Sequence, residues 1–468
     1  MSKKTAYFLE LLRKSSVIEP TASQRAFMET MAHLMASEER FKVFLLKGYA
    51  GTGKTTMLKT YVQFLEKMKM NMVLLAPTGR AAKVLFAYTG KRAYTIHKQI
   101  YTLKRKGGYT FLELAHNPHV NTVFIIDEAS MIGNQRSGNE RYGEGRRLLE
   151  DLLRYIYRGK NCMAVFSGDD AQLPPVGSTV SPALSKPYIE QNFSLEVFEA
   201  FLIHVVRQQA QSGILANATE IRKLISNQQI TYPEIKYNYT DIISISSNQL
   251  EDELQTAYNQ YGMEGCLVIT RSNKRANSFN KKIRIRILLY EDELCAGDRL
   301  MAVKNNYHWL GNNSQIGFIA NGDIVQLLRL KNKENIYEQD FANVRLEFND
   351  YEQNEAVELK IILSSLHTET ANLPQQMQEE LYKNIELDYA EEPSKIKKRE
   401  KILNNDYYNA LQVKYAYAIT CHKAQGGQWP CIFIDRGYFT DDMLDLDYLR
   451  WLYTAFTRAS EKLYLINF

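Results

Sequence analysis

The sequence predicts an α/β protein in which a parallel-sheet domain is organised around one glycine-rich loop and further domains follow it. Three observations carry that prediction. The apolar run Val43-Phe44-Leu45-Leu46 leads into Gly48-Tyr49-Ala50-Gly51-Thr52-Gly53-Lys54-Thr55, and Met57 to Val62 then reads as a helix. Strand, G-x-x-x-x-G-K-T loop and helix, in that order, are the context of a phosphate-binding loop. Further on, Thr122-Val123-Phe124-Ile125-Ile126 is an apolar strand ending in Asp127-Glu128, and Ala164-Val165-Phe166 is a third strand with a polar tip running to Gly177. At 468 residues the chain is long for one core, and about two to four domains are expected.

Each element has a chemical reading. The loop glycines let backbone N–H groups turn inward around phosphate oxygens, and the helix start adds its positive dipole end. Gly51, Thr52, Gly53, Lys54, Thr55 and Thr56 are the candidate phosphate-contacting residues. Lys54 would reach the β- and γ-phosphates and Thr55 would place a hydroxyl on Mg²⁺. Asp127 would share the metal, and Glu128 would orient and deprotonate an attacking water. Gln172, at the tip of the third strand, is placed to sense the γ-phosphate. Gln24, just upstream of the loop, offers an amide that both donates and accepts, as an adenine edge requires. ATP and Mg²⁺ are the expected cofactors.

Composition sets broad bounds. Hydrophobic residues at 45% and charged residues at 24% match a soluble globular protein. No apolar run approaches a membrane span, and Ala6 to Lys14 reads as an amphipathic helix, not a signal peptide. The five cysteines, at 162, 266, 295, 421 and 431, lack C-x-x-C spacing; reduced thiols in a cytoplasmic protein are expected, without a structural zinc. The net charge of +5 is a mild bias that does not by itself indicate nucleic-acid binding.

The strand Met72 to Leu75 ends in Ala76-Pro77-Thr78-Gly79-Arg80, and Tyr94-Thr95-Ile96-His97 follows. Loops at the carboxyl ends of parallel strands bind ligands, and small hydroxyl and basic residues there suit a phosphodiester backbone. Pro77, Thr78 and His97 are therefore candidate nucleic-acid contacts. Residues 103–116 read as a hairpin turning at Gly107-Gly108, with Tyr109 and Phe111 on the returning strand. It is either a wedge or a surface excursion, inserted near 88–118. The first domain is expected over 1–187, closing at the Ser/Pro-containing stretch 178–187. The second is expected over 188–295 plus 413–468. Between them, 296–412 begins with alternating strand patterns that suggest a small β-barrel, and 374–410 is charged and helical. That last segment is either a plain excursion or a docking surface for a protein partner.

The motifs GYAGTGKTT, APTGRAA, DEASM and GDDAQLPPVG resemble, in this order, the helicase motifs of superfamily 1, in the RecD-like and Dda-like branch known as superfamily 1B. Later stretches continue the resemblance: Val205-Val206-Arg207-Gln208, Cys266 to Lys274, Gly297-Asp298-Arg299, Tyr415 to Gly426, and Leu452 to Ala459. It spans about residues 20–460, nearly the whole chain. One departure is Gly426-Gly427-Gln428-Trp429, where the family usually has Gly-Ser-Glu, so Gln428 receives no nucleotide role.

The resemblance implies two RecA-like ATPase domains, a small β-hairpin insertion in the first, and an SH3-like β-barrel insertion with a helical excursion in the second. It implies a compact form without the long N-terminal extension of larger RecD-like enzymes. Arg207 and Arg458 would act as arginine fingers and Gly426 would face the nucleotide. Asn273, Thr420 and His422 would join Pro77, Thr78 and His97 on single-stranded DNA, with Tyr109 and Phe111 at the junction. The implied activity is ATP-dependent DNA unwinding and single-strand translocation, 5′→3′, by a monomer without membrane attachment. Two alternatives stay open: a translocase that remodels nucleoprotein and barely unwinds, and a helicase-like subunit whose work is done by partners.

Overall fold

The computed structural model describes residues 2–106, 109–136, 146–204, 212–310, 318–348 and 355–468. Helices α1 (Lys3–Ser15) and α2 (Ala22–Ala36) precede β1 (Lys42–Gly48) and α3 (Lys54–Lys67). Then come β2 (Asn71–Ala76), α4 (Gly79–Thr89), β3 (Ala93–Thr95), α5 (Ile96–Ile100) and the hairpin β4 (Tyr101–Lys106) with β5 (Tyr109–Leu114). The first unit ends with β6 (Thr122–Ile126), α6 (Leu148–Arg158), β7 (Met163–Gly168), α7 (Lys186–Phe193) and β8 (Glu196–Leu202). Its sheet is parallel throughout, in the order β3-β2-β6-β7-β1-β8.

Helices cover both faces of this sheet, so its strands read as unbroken apolar runs. Phe44 and Leu46 pack with Phe27, Met31 and Tyr61 of α2 and α3. Val43 and Leu45 point the other way, to Leu152 and Ile156 of α6. All four strand residues are fully buried, each worth about 1.5–3 kcal/mol. The amphipathic reading of α1 holds: Phe8, Leu9 and Leu12 are its buried stripe.

The expected domain boundary at residue 187 comes too early. Strand β8 pairs with β1 from Lys42↔Glu196 to Gly48↔Leu202, so the first sheet runs to Leu202. The Ser/Pro-containing stretch is a loop that leads through α7 to this edge strand; its composition marks a turn, not a domain crossing.

The second sheet uses β9 (Ile242–Ile245) and β10 (Cys266–Thr270), with α8 (Gly213–Ser226), α9 (Leu250–Tyr261) and α10 (Asn273–Lys282) around them. The chain then leaves for a closed barrel of β11 (Arg299–Ala302), β12 (Ile324–Ile336), β13 (Gln339–Phe348), β14 (Glu355–Ile362) and β15 (Leu411–Tyr415). Between β14 and β15 lie α11 (Ser364–His367), α12 (Gln375–Leu387) and α13 (Lys395–Leu403). On return come β16 (Ala418–Thr420), α14 (Cys421–Ala424), β17 (Trp429–Asp435), α15 (Leu446–Phe456) and β18 (Ala459–Ile466). The sheet order is β16-β10-β17-β18-β9, again parallel. Two parallel RecA-like sheets with a barrel inserted in the second are thus the architecture.

Strand β15 pairs with β11 and β14, so the barrel extends to Tyr415 and the expected end at 412 moves accordingly. A buried ion pair fixes its joint with the second sheet: Arg284 donates to both oxygens of Asp298 at 2.8 and 2.9 Å. Helices α12 and α13 close over the barrel through Leu381, Ile385 and Ile402 against Phe341 and Ile362, and α13 reaches β5 of the hairpin. Much of the basic character of residues 271–286 is structural, since Arg275 is bidentate on Asp435 and Arg286 pairs with Glu251. The five cysteines are free thiols. Among the described residues no helix is long and apolar enough to cross a membrane.

Candidate nucleotide cleft and nucleic-acid interface

Strand β1 delivers Gly48 to the loop, and Gly53, at φ +86°, turns the backbone into α3. That left-handed position suits glycine. A Cβ at Gly48 would lie within 3.1 Å of Lys54 Cγ and 2.9 Å of Leu202 Cβ, so the side chain of Lys54 folds back over a position that admits none. Its ammonium donates to the carbonyls of Gly48 and Tyr49 at 2.6 and 2.9 Å. These are neutral acceptors, and a phosphate is a stronger one. Thr52 is buried and donates to Tyr49 O at 2.8 Å, whereas Thr55 is exposed at the helix start and Thr56 half-buried. Gln24 is fully buried; its Oε1 accepts from Thr21 N at 2.9 Å in a capping box and its Nε2 donates to Thr52 O at 3.3 Å. The amide read as facing adenine therefore ties α2 to the loop, and an adenine contact requires it to change partners.

The acidic pair follows β6. Asp127 Oδ2 accepts from the Tyr88 hydroxyl at 2.5 Å. Glu128 has φ +53°, a left-handed conformation that costs a non-glycine residue about 1–3 kcal/mol and clusters at functional sites. Burial pushes its carboxyl above the usual range; Arg458 opposes that, Asp127 adds to it, Lys54 opposes it and Asp169 adds to it. At the tip of β7, Asp169 is fully buried and accepts from Ala171 N at 3.0 Å through Oδ1. Its carbonyl accepts from Gln172 N at 3.3 Å. Gln172 is buried, and its Oε1 has no hydrogen-bond partner among the described residues. A parked lysine and a cradle shaped by glycine fit a bound triphosphate, and the orphaned amide oxygen of Gln172 fits a donor beside it, such as a water.

The second sheet closes the other side. Arg458 is 2% exposed and its guanidinium donates to Thr454 O and Gly427 O, each at 3.1 Å, and to Thr457 Oγ1 at 3.2 Å. Leu173 N donates to Thr454 Oγ1 at 2.9 Å, and Gln425 Nε2 donates to Leu173 O at 2.7 Å. Gly426 takes a left-handed turn against the first sheet. At φ +74°, a Cβ there would meet Ala81 Cβ, Thr78 Oγ1 and Met131 Sδ at 3.1, 3.3 and 3.5 Å. The left-handed turn brings the backbone against the start of α4 and against Met131, which follows the acidic pair. Arg207 lies outside the described residues.

The DNA candidates collect at the carboxyl ends of two pairs of neighbouring strands. Ala76 and Thr95 are paired across β2 and β3, which brings Pro77, Thr78 and His97 to one end of the first sheet. Thr270 and Thr420 are paired across β10 and β16, which gathers Asn273, Thr420 and His422 likewise. Thr78 caps α4, accepting from Ala81 N. Asn273 and Thr420 are half-buried and His422 is exposed. His97 is a different matter: its ring lies 5.6 Å from Tyr101 and 6.1 Å from Phe318, and burial pushes its imidazole down to about 4. The ring packs toward the barrel, and desolvation favours its neutral form. The hairpin backbone is as expected, with Lys106↔Tyr109 its innermost pair; the side chains of Tyr109 and Phe111 lie outside the described residues.

Sequence reasoning missed Tyr88, Asp169, Tyr453 and the pairing of Arg80 with Trp429, whose guanidinium and ring centroid are 3.9 Å apart across the two domains. Three of them sit inside recognised motif stretches. Tyr88 had no signal at all.

A model of an AAA domain matches residues 21–223 and a model of a UvrD-like helicase C-terminal domain matches residues 415–466. The ATP-dependent RecD2 DNA helicase of Deinococcus radiodurans is 24% identical over 66% of this chain and 40% of its own length. The ATP-dependent DNA helicase dda of Enterobacteria phage T4 is 29% identical over 40% of each. An uncharacterized protein of Acanthamoeba polyphaga mimivirus is 24% identical over 91% of this chain and 96% of its own. The chain thus spans 40% of the length of the RecD2 protein and nearly all of the mimivirus one. A solved Bacteroides Pif1 bound to ssDNA aligns over 96% of this chain and 92% of that one at 17% identity and a TM-score of 0.45. An ATPase-domain match over the phosphate loop and the acidic pair, a helicase match over the stretch that carries Arg458, and the intervening motifs in order together support a superfamily 1B helicase.

Proposed function

We propose that this chain is an ATP-dependent DNA helicase and single-strand translocase that moves 5′→3′. The observation that carries the reading is the convergence on Glu128 of Lys54, Asp127 and Asp169 from the first sheet and Arg458 from the second. Charges delivered from two domains to one half-buried carboxylate suit a reaction in which the cleft must close before the transition state is stabilised.

In this reading Lys54 and the backbone of Gly51 to Thr55 hold the triphosphate, with Thr55 and Asp127 holding Mg²⁺, which would neutralise charge on the phosphates. Glu128 takes the proton of the attacking water, Gln172 offers its free amide oxygen to that water, and Arg458 meets the charge that develops on the γ-phosphoryl group. Arg207 is proposed as the second finger. Opening and closing of the cleft shifts Pro77 and Thr78 relative to Asn273, Thr420 and His422. A strand held on both edges is thereby moved, through backbone contacts that tolerate any sequence. The reading takes the chain as a cytoplasmic monomer. A protein partner at 374–410 would meet the outward face, where Leu387 and Ile396 are exposed.

The test uses two partial duplexes, one with a 5′ and one with a 3′ single-stranded tail, incubated with protein, ATP and Mg²⁺. Displacement from the 5′-tailed duplex alone is the expected result. Displacement from the 3′-tailed duplex alone overturns the polarity. ATP turnover stimulated by single strands without displacement from either overturns unwinding and favours the remodelling or partner-dependent readings.

A further inference from the structure

We infer that Tyr453 is a positioning residue for ATP hydrolysis, its single phenol oxygen tying the phosphate loop and the turn that carries Gln172 to the helix end that presents Arg458. The inference rests on reading the cleft as a site of ATP turnover. Tyr453 lies on α15 and is 1% exposed. Its hydroxyl accepts from Ala50 N of the phosphate loop at 3.0 Å and donates to Asp169 Oδ2 at 2.6 Å. Both contacts cross from the second sheet to the first. Burial and the neighbouring Asp169 push the phenol far above its ordinary range, so it remains a neutral donor.

What the hydroxyl touches gives it more than a packing role. Asp169 shapes the turn at the end of β7, accepting from Ala171 N with its other oxygen and from Gln172 N with its carbonyl. The oxygen that meets Tyr453 therefore belongs to the group that sets where Gln172 points. Ala50 is in the loop that Lys54 holds by the Gly48 and Tyr49 carbonyls. Arg458 in turn is fixed by the carbonyl of Thr454, the residue next to Tyr453. Arg222 of α8 stands over the Tyr49 ring at 4.1 Å, a second clasp from the same domain on the same loop. One hydroxyl thus sets three γ-phosphate-facing groups in register when the cleft is shut, and releases them when it opens. An opened cleft would leave Ala50 N and Asp169 without this partner, so the bond is made where hydrolysis needs it.

Thr454 supplies the comparison that separates positioning from adhesion. Its hydroxyl also crosses the cleft, accepting from Leu173 N at 2.9 Å, but it touches neither the phosphate loop nor Asp169 among the described residues. Steady-state ATP turnover with saturating single-stranded DNA is measured for wild type, Tyr453→Phe and Thr454→Val, with thermal unfolding alongside. Tyr453→Phe keeps the ring in its buried place and loses one oxygen. The expected result is a fall in kcat of about tenfold to a hundredfold, as for a lost bond to a charged group, with KM for ATP within about twofold. Thr454→Val is expected to lose less than about threefold in kcat, as a neutral hydrogen bond would. Asp169→Asn enters the same relay from the other side and is expected to repeat the kcat-selective fall, and it decides the matter where Tyr453→Phe does not fold. An unchanged kcat in Tyr453→Phe, a rise in KM without a fall in kcat, or an equal fall in Thr454→Val overturns the inference while leaving the ATPase reading intact. Absence of turnover in wild type overturns that reading and the inference with it.

Discussion

Replacing Arg458 by alanine tests the cleft where it is most demanding. The guanidinium is almost completely buried and makes three hydrogen bonds to its own domain. It is also the strongest attraction holding down the raised pKa of Glu128. Its removal has two separable effects. An arginine that meets the transferring phosphoryl group is worth about 10³–10⁵ in kcat, so turnover should fall at least about a thousandfold while nucleotide affinity changes far less. The second effect is on pH. Glu128 must be ionised to accept a proton, and burial already places its carboxyl above the usual glutamate range. Activity therefore rises as pH rises through that raised value. Without Arg458 the opposing charge is gone, Asp127 and Asp169 remain, and the acid limb of kcat moves to higher pH. Arg458→Lys keeps the charge and should restore the position of the limb more than the maximum, since lysine lacks the planar fork. The assay is turnover against pH with single-stranded DNA, beside binding of a non-hydrolysable ATP analogue. Equal losses in kcat and affinity, or an acid limb that does not move, would refute the reasoning.

Three other perturbations address other parts of the molecule. Lys54→Ala should lower turnover by about a hundredfold or more and leave single-strand binding intact, measured by fluorescence anisotropy; turnover at the wild-type rate would remove the phosphate-loop assignment. Tyr88→Phe removes the hydroxyl that donates to Asp127 Oδ2 and should raise the Mg²⁺ concentration needed for half-maximal turnover by about tenfold, as expected for loss of a partner that would orient a metal ligand. A requirement equal to that of wild type would show that Tyr88 does not orient the carboxylate. Replacing Tyr109 and Phe111 together by alanine should impair displacement of a tailed duplex more than ATP turnover, and an unaltered displacement rate would make the hairpin a surface excursion.

The parts legible in the sequence were those whose signal is local. Val43 to Leu46 are apolar in succession because both faces of β1 are covered, and Gly53 is glycine because the backbone there is left-handed. The barrel could be read from alternation at 343–348 and 356–361, which became β13 and β14. Strand β8 could not be assigned to the first sheet, since Glu196 to Leu202 carries Glu196 and Glu199 and its partner β1 lies far back in the sequence. Gly426 shows a related limit. A motif position records that a glycine is needed, whereas only the packing reveals that Thr78 and Ala81 are what approach it.

The same limit explains why the coupling residues escaped notice. Glu128, Asp169, Tyr453 and Arg458 lie on different strands and helix ends of two sheets, and none is near the next in sequence except the last two. Each sits at a place where a parallel strand or its following helix ends, which is where such sheets bind ligands. A chain of charges that meets only across a cleft has no spacing to read. Its cost shows instead in the structure, as a left-handed Glu128, a buried amide oxygen on Gln172 without a partner among the described residues, and a phenol sealed between two domains. Those features are unfavourable in a static core, where an orphaned polar atom costs about 1–3 kcal/mol. They are intelligible in a cleft that opens and closes on a nucleotide and its attacking water, because a water can donate to the Gln172 oxygen when the cleft is filled and the domain movement that follows is what a strand on Thr78 and Thr420 would feel.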